Sequence, residues 1–349
     1  MKIKIDKTEI SEVNNPYIIA EISANHNGKI KRALEMIKIA KKCGCSAVKI
    51  QTYTPDTITL NSDSEEFTIQ DGLWKGKTLY ELYGEAFTPW EWHGELFEKA
   101  RQNEITLFSS PFDFTAVDFL ENLNAPAYKI ASFEAIDLPL IKYAASTGKP
   151  LIISTGMADL DEISEAYETA RDGGCEFPIL LHCVSGYPAP IEDYNLNTIL
   201  DMKKNFNTII GISDHTLENT TALASIALGG RVVEKHFTLD RSAGGPDDSF
   251  SLQPSELSNL VKDANSIFKS LGRVDYGLKS SESSNIKFRR SLYFVNDLKK
   301  GDLITNADVK SVRPGYGEHP KNIGLFLNKR VKKDVKKNSP AKLSLVEKE

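Results

Sequence analysis

Eight short runs of apolar and β-branched residues, at 17–21, 47–51, 106–110, 127–131, 150–154, 178–183, 208–213 and 231–236, recur along the chain between turn residues. Runs of this length suit strands buried on both faces, and such strands pair in parallel only when a long crossover separates them. Helical periodicity supplies the crossovers. After the first run, Ile30, Ala33, Leu34 and Ile37 fall at i, i+3, i+4 and i+7, and similar amphipathic stretches stand at 90–103, 115–123, 138–146, 160–171, 195–204, 218–228 and 254–271. Eight strands alternating with eight helices predict a closed (β/α)8 TIM barrel. An open doubly wound sheet could hold the same elements, but Ser23-Ala-Asn-His-Asn-Gly28 follows the first run where that fold places a G-x-G-x-x-G turn.

A single core stops growing near ~250–300 residues, so 349 residues predict two unequal domains. The barrel is assigned to 1–275. The polar stretch Lys279-Ser-Ser-Glu-Ser-Ser-Asn285 marks a linker at 276–287, and short apolar pieces between charged turns make 288–349 a small β-rich domain. Within the barrel, the connection at 53–89 is unusually long and carries Trp74, Tyr80 and Tyr83, which marks it as functional.

Net charge is −5 and Lys and Arg are dispersed, so nucleic-acid binding is not indicated. The exception, a basic run at 329–337, reads as a solvated face. Four cysteines at irregular spacing are expected to be reduced, without a disulfide framework or a zinc site. Charged and apolar residues alternate at 1–6, and no run of 18 apolar residues exists, so no membrane association and a cytoplasmic location are expected.

Barrel enzymes place their chemistry at the C-terminal ends of the strands. That criterion selects Glu21, Lys49, Gln51, Ser110, Lys129, Ser132, Glu134, Ser154, Ser185, Ser213, His215, Lys235 and His236. Three lysines and several hydroxyls around one mouth suit a multiply charged anion such as a phosphate or carboxylate. Each lysine interrupts an apolar run, where an unpaired charge would cost several kcal/mol. His215 and His236 end consecutive strands and are placed to share an ion, plain packing being the competing reading. Two nitrogens would leave an open site suited to Mn²⁺ or Mg²⁺ as a Lewis acid. Glu134 is read as an acid/base group or as a rim carboxylate paired with lysine, and Asp247 in Gly244-Gly-Pro-Asp247 as a partner for a sugar hydroxyl.

Eight motifs extend this pattern: Ala20-Glu-Ile-Ser-Ala-Asn-His-Asn-Gly28, Val48-Lys-Ile-Gln-Thr-Tyr-Thr-Pro-Asp56, Ser109-Ser-Pro-Phe112, Tyr128-Lys-Ile-Ala-Ser-Phe-Glu134, Ile153-Ser-Thr-Gly156, Ser213-Asp-His-Thr216, Glu234-Lys-His-Phe237 and Gly244-Gly-Pro-Asp247. Together they make the chain resemble the sialic acid synthase family over nearly its whole length, most closely its pseudaminic acid synthase branch. The resemblance implies a barrel followed by an antifreeze-like (SAF) domain, and condensation of phosphoenolpyruvate with the aldehyde of an acetamido sugar. It implies that His215 and His236 ligate the metal and that Lys49, Ser110, Lys129, Ser132, Ser154, Ser185 and Ser213 hold phosphoenolpyruvate. Glu21, Gln51, Glu134, Tyr187 and Asp247 would contact the sugar. It further implies a domain-swapped homodimer in which Arg313 of Val312-Arg-Pro-Gly315 reaches the partner's barrel.

Two departures from the neuraminic acid synthases, Ile50 for a His and Ser185 for an Asn, are expected to shift the sugar rather than the reaction. Trp74-Lys-Gly-Lys-Thr-Leu-Tyr80 and Thr88-Pro-Trp-Glu-Trp-His93 resemble the pseudaminic branch, whose acceptor is a 6-deoxy-2,4-diacetamido hexose, and aromatic residues suit a less hydroxylated sugar. An N-acetylneuraminate or legionaminate synthase is the neighbouring alternative. A non-catalytic carbohydrate-binding protein is the alternative of another class.

Overall fold

The computed structural model describes residues 1–347; Lys348 and Glu349, the end of the expected small domain, lie outside the described residues. The chain divides into two units, Met1–Gly272 and Arg273–Glu349.

The first unit opens with a hairpin, β1 (Lys2–Ile5) and β2 (Thr8–Ser11), which pair antiparallel around the left-handed Asp6. Eight parallel strands then close a barrel: β3 (Tyr17–Glu21), β4 (Ala47–Thr52), β5 (Thr106–Pro111), β6 (Tyr128–Ile130), β7 (Leu151–Ser154), β8 (Ile179–Cys183), β9 (Ile210–Asp214) and β10 (Val232–His236), with β10 beside β3. The expected eight-stranded barrel is what forms. Its crossovers carry helices α1 (Ile30–Cys43), α2 (Pro55–Ile58), α3 (Leu79–Ala86), α4 (His93–Gln102), α5 (Phe114–Asn122), α6 (Leu138–Ser146), α7 (Leu160–Gly173), α8 (Asn197–Asn205) and α9 (Thr220–Ala227), and α10 (Pro254–Leu271) follows β10. Helix starts obey local chemistry: Asp113, Asp137 and Asp159 each accept hydrogen bonds from first-turn amides of α5, α6 and α7.

Pleating divides the strand residues between two cores. Ile18, Ala20, Val48, Ile50, Tyr128, Ile153, Leu180, Ile212 and Val233 face the helices. Tyr17, Ile19, Ala47, Phe108, Ile152, Ile179, Leu181 and Val232 face the interior, where Ile3, Ile5 and Ile10 of the hairpin join them and plug the N-terminal end. Each buried isoleucine of the plug contributes about 1.5–3 kcal/mol by leaving water. At Gly211 the interior is too tight for any side chain, since an added Cβ would stand 2.2 Å from the Val232 carbonyl oxygen.

The same two-residue period continues upward and delivers Glu21, Lys49, Ser110, Lys129, Ser154, Cys183, Ser213, Glu234 and His236 to the inner face at the C-terminal mouth. Lys235, one position out of phase, faces away.

In the second unit, residues 273–290 are exposed and include a 3-10 helix at Ser280–Phe288, regular structure that a polar linker composition does not signal. Strands β11 (Ser291–Phe294) and β12 (Val309–Val312) pair antiparallel, and isolated bridges tie most of the remaining extended chain together. Its core is built on Leu292, Phe294, Ile304, Phe326, Val331 and Ala341. Among the described residues, no helix is long and apolar enough to cross a membrane.

Candidate active site

The mouth of the barrel is built in two tiers. In the lower tier, charges that the strands force inward neutralise one another. Lys49 Nζ lies 3.1 Å from Glu21 Oε2 and 3.3 Å from Glu234 Oε1, and it donates to Ser110 Oγ at 3.3 Å. The same Glu234 oxygen stands 3.5 Å from Lys129 Nζ and accepts from Ser213 Oγ at 3.3 Å. Burial disfavours ionising Glu234, yet the Lys129 and Lys49 ammoniums outweigh it and hold the carboxyl below its usual range. Burial raises Glu21 to about 6 against the pull of Lys49.

The two lysines differ. Burial opposes the charge on Lys49, but two carboxylates overcome it and its pKa is raised. Lys129 has Glu234 at longer range and faces the like charge of Lys49, so burial prevails and its pKa is lowered. Of the two, Lys129 is the less satisfied, and an incoming anion would add to the counter-charge that Glu234 provides. Ser154 Oγ nearby on the inner face is buried with no hydrogen-bond partner.

The upper tier is a cavity of about 450 Å³. Its polar wall includes Gln51, Ser132, Glu134, Ser185, His236 and Asp247, and its apolar wall comes from the excursion at 53–89. Gln51 Nε2 donates to Glu21 Oε1 and to Ser23 Oγ, both at 3.1 Å, and Ser23 in turn donates to Asp247 Oδ2 at 2.5 Å. Ser132 and Ser185 hydroxyls meet at 2.7 Å. Glu134 Oε2 is buried without a partner, and burial pushes this carboxyl up to about 7, although Lys129 works in the opposite direction.

His215 and His236 come together with ring centroids 5.4 Å apart, and Tyr187 packs against both at 4.5 and 6.2 Å. His215 Nδ1–H donates to the Val184 carbonyl at 2.8 Å, which fixes the tautomer of the neutral ring with its lone pair on Nε2. Burial opposes the charge on His215, but Cys183 outweighs it and the pKa is raised, so the pair shares lone pairs with an ion only once His215 gives up its proton. Burial, and after it the positive charge of a protonated His215, lowers His236 well below the usual imidazole range, and its buried Nδ1 has no hydrogen-bond partner. Asp247 Oδ2 lies 3.8 Å from that nitrogen. Two imidazoles with available lone pairs beside a carboxylate fit a divalent ion of open coordination. Among the described residues no group of three or more His, Cys, Asp or Glu stands in ligand geometry, so other positions around such an ion would fall to water or substrate.

Two expectations are corrected. Lys235 does not belong to an anion-binding ring: its Nζ donates to Asp214 Oδ2 at 3.1 Å and to the Thr216 and Glu218 carbonyls at 2.6 and 2.8 Å. Alternation makes this necessary, because Glu234 and His236 already occupy the inner face. The ring is therefore two lysines and two carboxylates. Ile50 likewise packs in the core against the helices and cannot choose the sugar by contact. Arg313 is exposed in the second unit.

Glu234 is a site residue outside the strand-end set, and its place two residues before His236 on β10 puts both on one face. Ser23 is a further site residue that carries no periodic signal, because it sits in a left-handed turn after β3. Of the excursion, Trp74 was expected to matter. Its indole N–H donates to the Pro246 carbonyl at 3.1 Å and its ring lies 6.0 Å from Tyr187.

The chain is similar to known proteins in both of its units. A model of the NeuB family matches residues 36–276, and a model of the SAF domain matches residues 289–347. A pseudaminic acid synthase of Campylobacter jejuni subsp. jejuni serotype O:2 is 45% identical over 320 residues, covering 92% of this chain and 93% of that one. A pseudaminic acid synthase of Helicobacter pylori is 41% identical over 326 residues, covering 93% and 96%. The crystal structure of an N-acetylneuraminic acid (sialic acid) synthetase from Leptospira borgpetersenii, in complex with citrate, superposes with a TM-score of 0.73 at 31% identity, covering 82% of this chain and 95% of that one.

Proposed function

The chain belongs to the NeuB family, and from that premise we propose that it is a pseudaminic acid synthase, a transferase that condenses phosphoenolpyruvate with 2,4-diacetamido-2,4,6-trideoxy-L-altrose and water to give pseudaminic acid and phosphate. The observation that carries the reaction class is the mouth of the barrel, where burial holds Lys129, with Glu234 at 3.5 Å but Lys49 as a like-charged neighbour, below the usual lysine range, together with the paired imidazoles of His215 and His236. The higher identity to pseudaminic acid synthases than to the neuraminate enzyme favours this acceptor over the neuraminate alternative.

Lys49 and Lys129, with Ser110, Ser132, Ser154, Ser185 and Ser213, bind the phosphate and carboxylate of phosphoenolpyruvate and hold its C3 toward the cavity. Glu21, Gln51, Tyr187 and Asp247 orient the acceptor with its aldehyde at the imidazole pair. His215 and His236 would hold Mn²⁺ or Mg²⁺, which when bound supplies Lewis-acid polarisation of the carbonyl. C3 attacks the aldehyde carbon, water adds at C2, and phosphate leaves. Glu134, protonated near neutrality, donates to the aldehyde oxygen as it becomes a hydroxyl.

Arg313 completes the acceptor site across a domain-swapped homodimer on this reading, as the family resemblance implies, and the reaction is assigned to the cytoplasm, where phosphoenolpyruvate is produced. Purified protein incubated with phosphoenolpyruvate, a divalent ion and a panel of acetamido hexoses tests the assignment. The 6-deoxy diacetamido acceptor should give stoichiometric phosphate and a nine-carbon keto acid by mass spectrometry. Turnover only with N-acetylmannosamine or the legionaminate precursor would replace the acceptor, and phosphate release with none would leave a carbohydrate-binding protein.

A further inference from the structure

The cavity has walls of opposite character. Hydrogen-bonding side chains line the barrel side, whereas the excursion presents Ile58, Ile69, Leu79, Leu82, Tyr83 and Ala86. The one charged residue on that wall, Asp71, turns its carboxylate outward, where it is 93% exposed and 3.7 Å from Lys75. This apolar roof is held in place from both sides. Tyr53 packs edge-on against Tyr83 and Phe112 at 5.7 and 5.1 Å, and Trp74 ties the tip of the excursion to Pro246, next to Asp247.

An acceptor whose aldehyde lies at the imidazoles, and whose hydroxyls and amides meet the polar wall, brings its far terminus against this roof. A hydroxyl set against Ile58, Ile69 and Leu79, away from the Tyr53 and Tyr83 phenols, would lose water and find no partner on these three side chains, while a methyl would lose nothing. We propose that Ile58, Ile69 and Leu79 form a methyl-binding subsite that selects acceptors ending in a deoxygenated carbon. The inference rests on the acceptor reading given above and assigns the choice to three side chains remote from the reacting atoms.

The test compares kcat/KM for the 2,4-diacetamido-2,4,6-trideoxy acceptor and its 6-hydroxylated counterpart in the full-length wild type and in Ile58→Ser, Ile69→Ser and the milder Ile69→Val. Wild type should prefer the deoxy sugar by about 10²-fold, the range an apolar pocket achieves against an added hydroxyl. Each serine variant should cut that preference about tenfold with KM for phosphoenolpyruvate unchanged, and Ile69→Val should keep it. The ratio is internal to each protein, so partial misfolding does not move it. Serine variants that bind phosphoenolpyruvate normally and retain the wild-type ratio would overturn the subsite alone. A wild type active only on 6-hydroxylated sugars would overturn the acceptor reading and the subsite with it.

Discussion

Glu134 has the property a proton donor needs at neutral pH, a carboxyl raised from about 4.5 to about 7 by burial, with one oxygen free of protein partners. A general acid must be protonated, so kcat should fall as pH rises through about 7. Glu134→Gln should remove that limb from the pH–rate profile and lower kcat by about 10²–10⁴-fold. The folded state binds the extra proton between pH 4.5 and 7, so this residue also makes stability fall as pH rises across that window, and the variant should lose the fall. Two lysines on different strand faces give a sharper contrast. Lys129→Met should raise KM for phosphoenolpyruvate or cut kcat/KM by about 10²-fold or more. Lys235→Met should leave KM unchanged and lower stability by about 3–5 kcal/mol in a urea titration, because Asp214 would remain buried and unpaired. Both lysines interrupt an apolar run in the sequence; only counting alternate residues from His236 tells them apart.

At the scale of elements, the excursion at 53–89 is fastened at both ends by buried neutral histidines. His93 Nδ1–H donates to the Pro89 carbonyl at 3.2 Å and its Nε2 accepts from Thr52 at 2.8 Å. His26 Nδ1 accepts from the Gly28 amide at 3.1 Å, leaving its Nε2 side toward Thr88 and the Ala86 carbonyl. Burial lowers both imidazoles from 6.5 to about 4. The unfolded chain therefore binds protons that the folded chain refuses, and stability should fall as pH drops from 6.5 to 4, by up to about 3 kcal/mol per histidine. Urea midpoints at pH 7 and 5 would register the loss, and replacing either histidine with an uncharged residue should lessen it. The eight barrel strands were legible because they are buried on both faces and read as apolar runs; their ends moved by only one or two residues. The hairpin of β1 and β2 was not, since four-residue strands with charged outer faces resemble any polar terminus. The cavity walls on the excursion were legible as aromatic content but not as a surface, because α2, α3 and the bridge Thr68–Thr78 fold them together without a long periodic signal.

For the molecule as a whole, charge is unevenly shared. The unit from Arg273 carries 18 Lys and Arg against 9 Asp and Glu, while Met1–Gly272 carries 25 against 39. If the small unit of one subunit covers the barrel of another, opposite charges meet, so the proposed homodimer should dissociate more readily as salt rises from 0.05 to 0.5 M. Analytical ultracentrifugation reads that directly. Arg313 belongs to the same test: a Lys129→Met subunit mixed with an Arg313→Ala subunit should regain up to about a quarter of wild-type activity in hybrid dimers, as expected when one of two sites is intact in half the molecules, and no recovery would count against the swap. Barrel closure carries a different consequence. The seam of the ring pairs Tyr17–Glu21 with Val232–His236, so the first barrel strand waits for a partner 215 residues downstream. On a translating ribosome that interval is about 10–40 s. Throughout it the inward face of β3 has neither neighbour nor roof on one side, and Glu21 is without the finished charge network that later buries it. The reacting centre is thus the last part of the barrel to exist, and a nascent chain stalled before residue 236 would expose an open sheet edge for chaperones to guard.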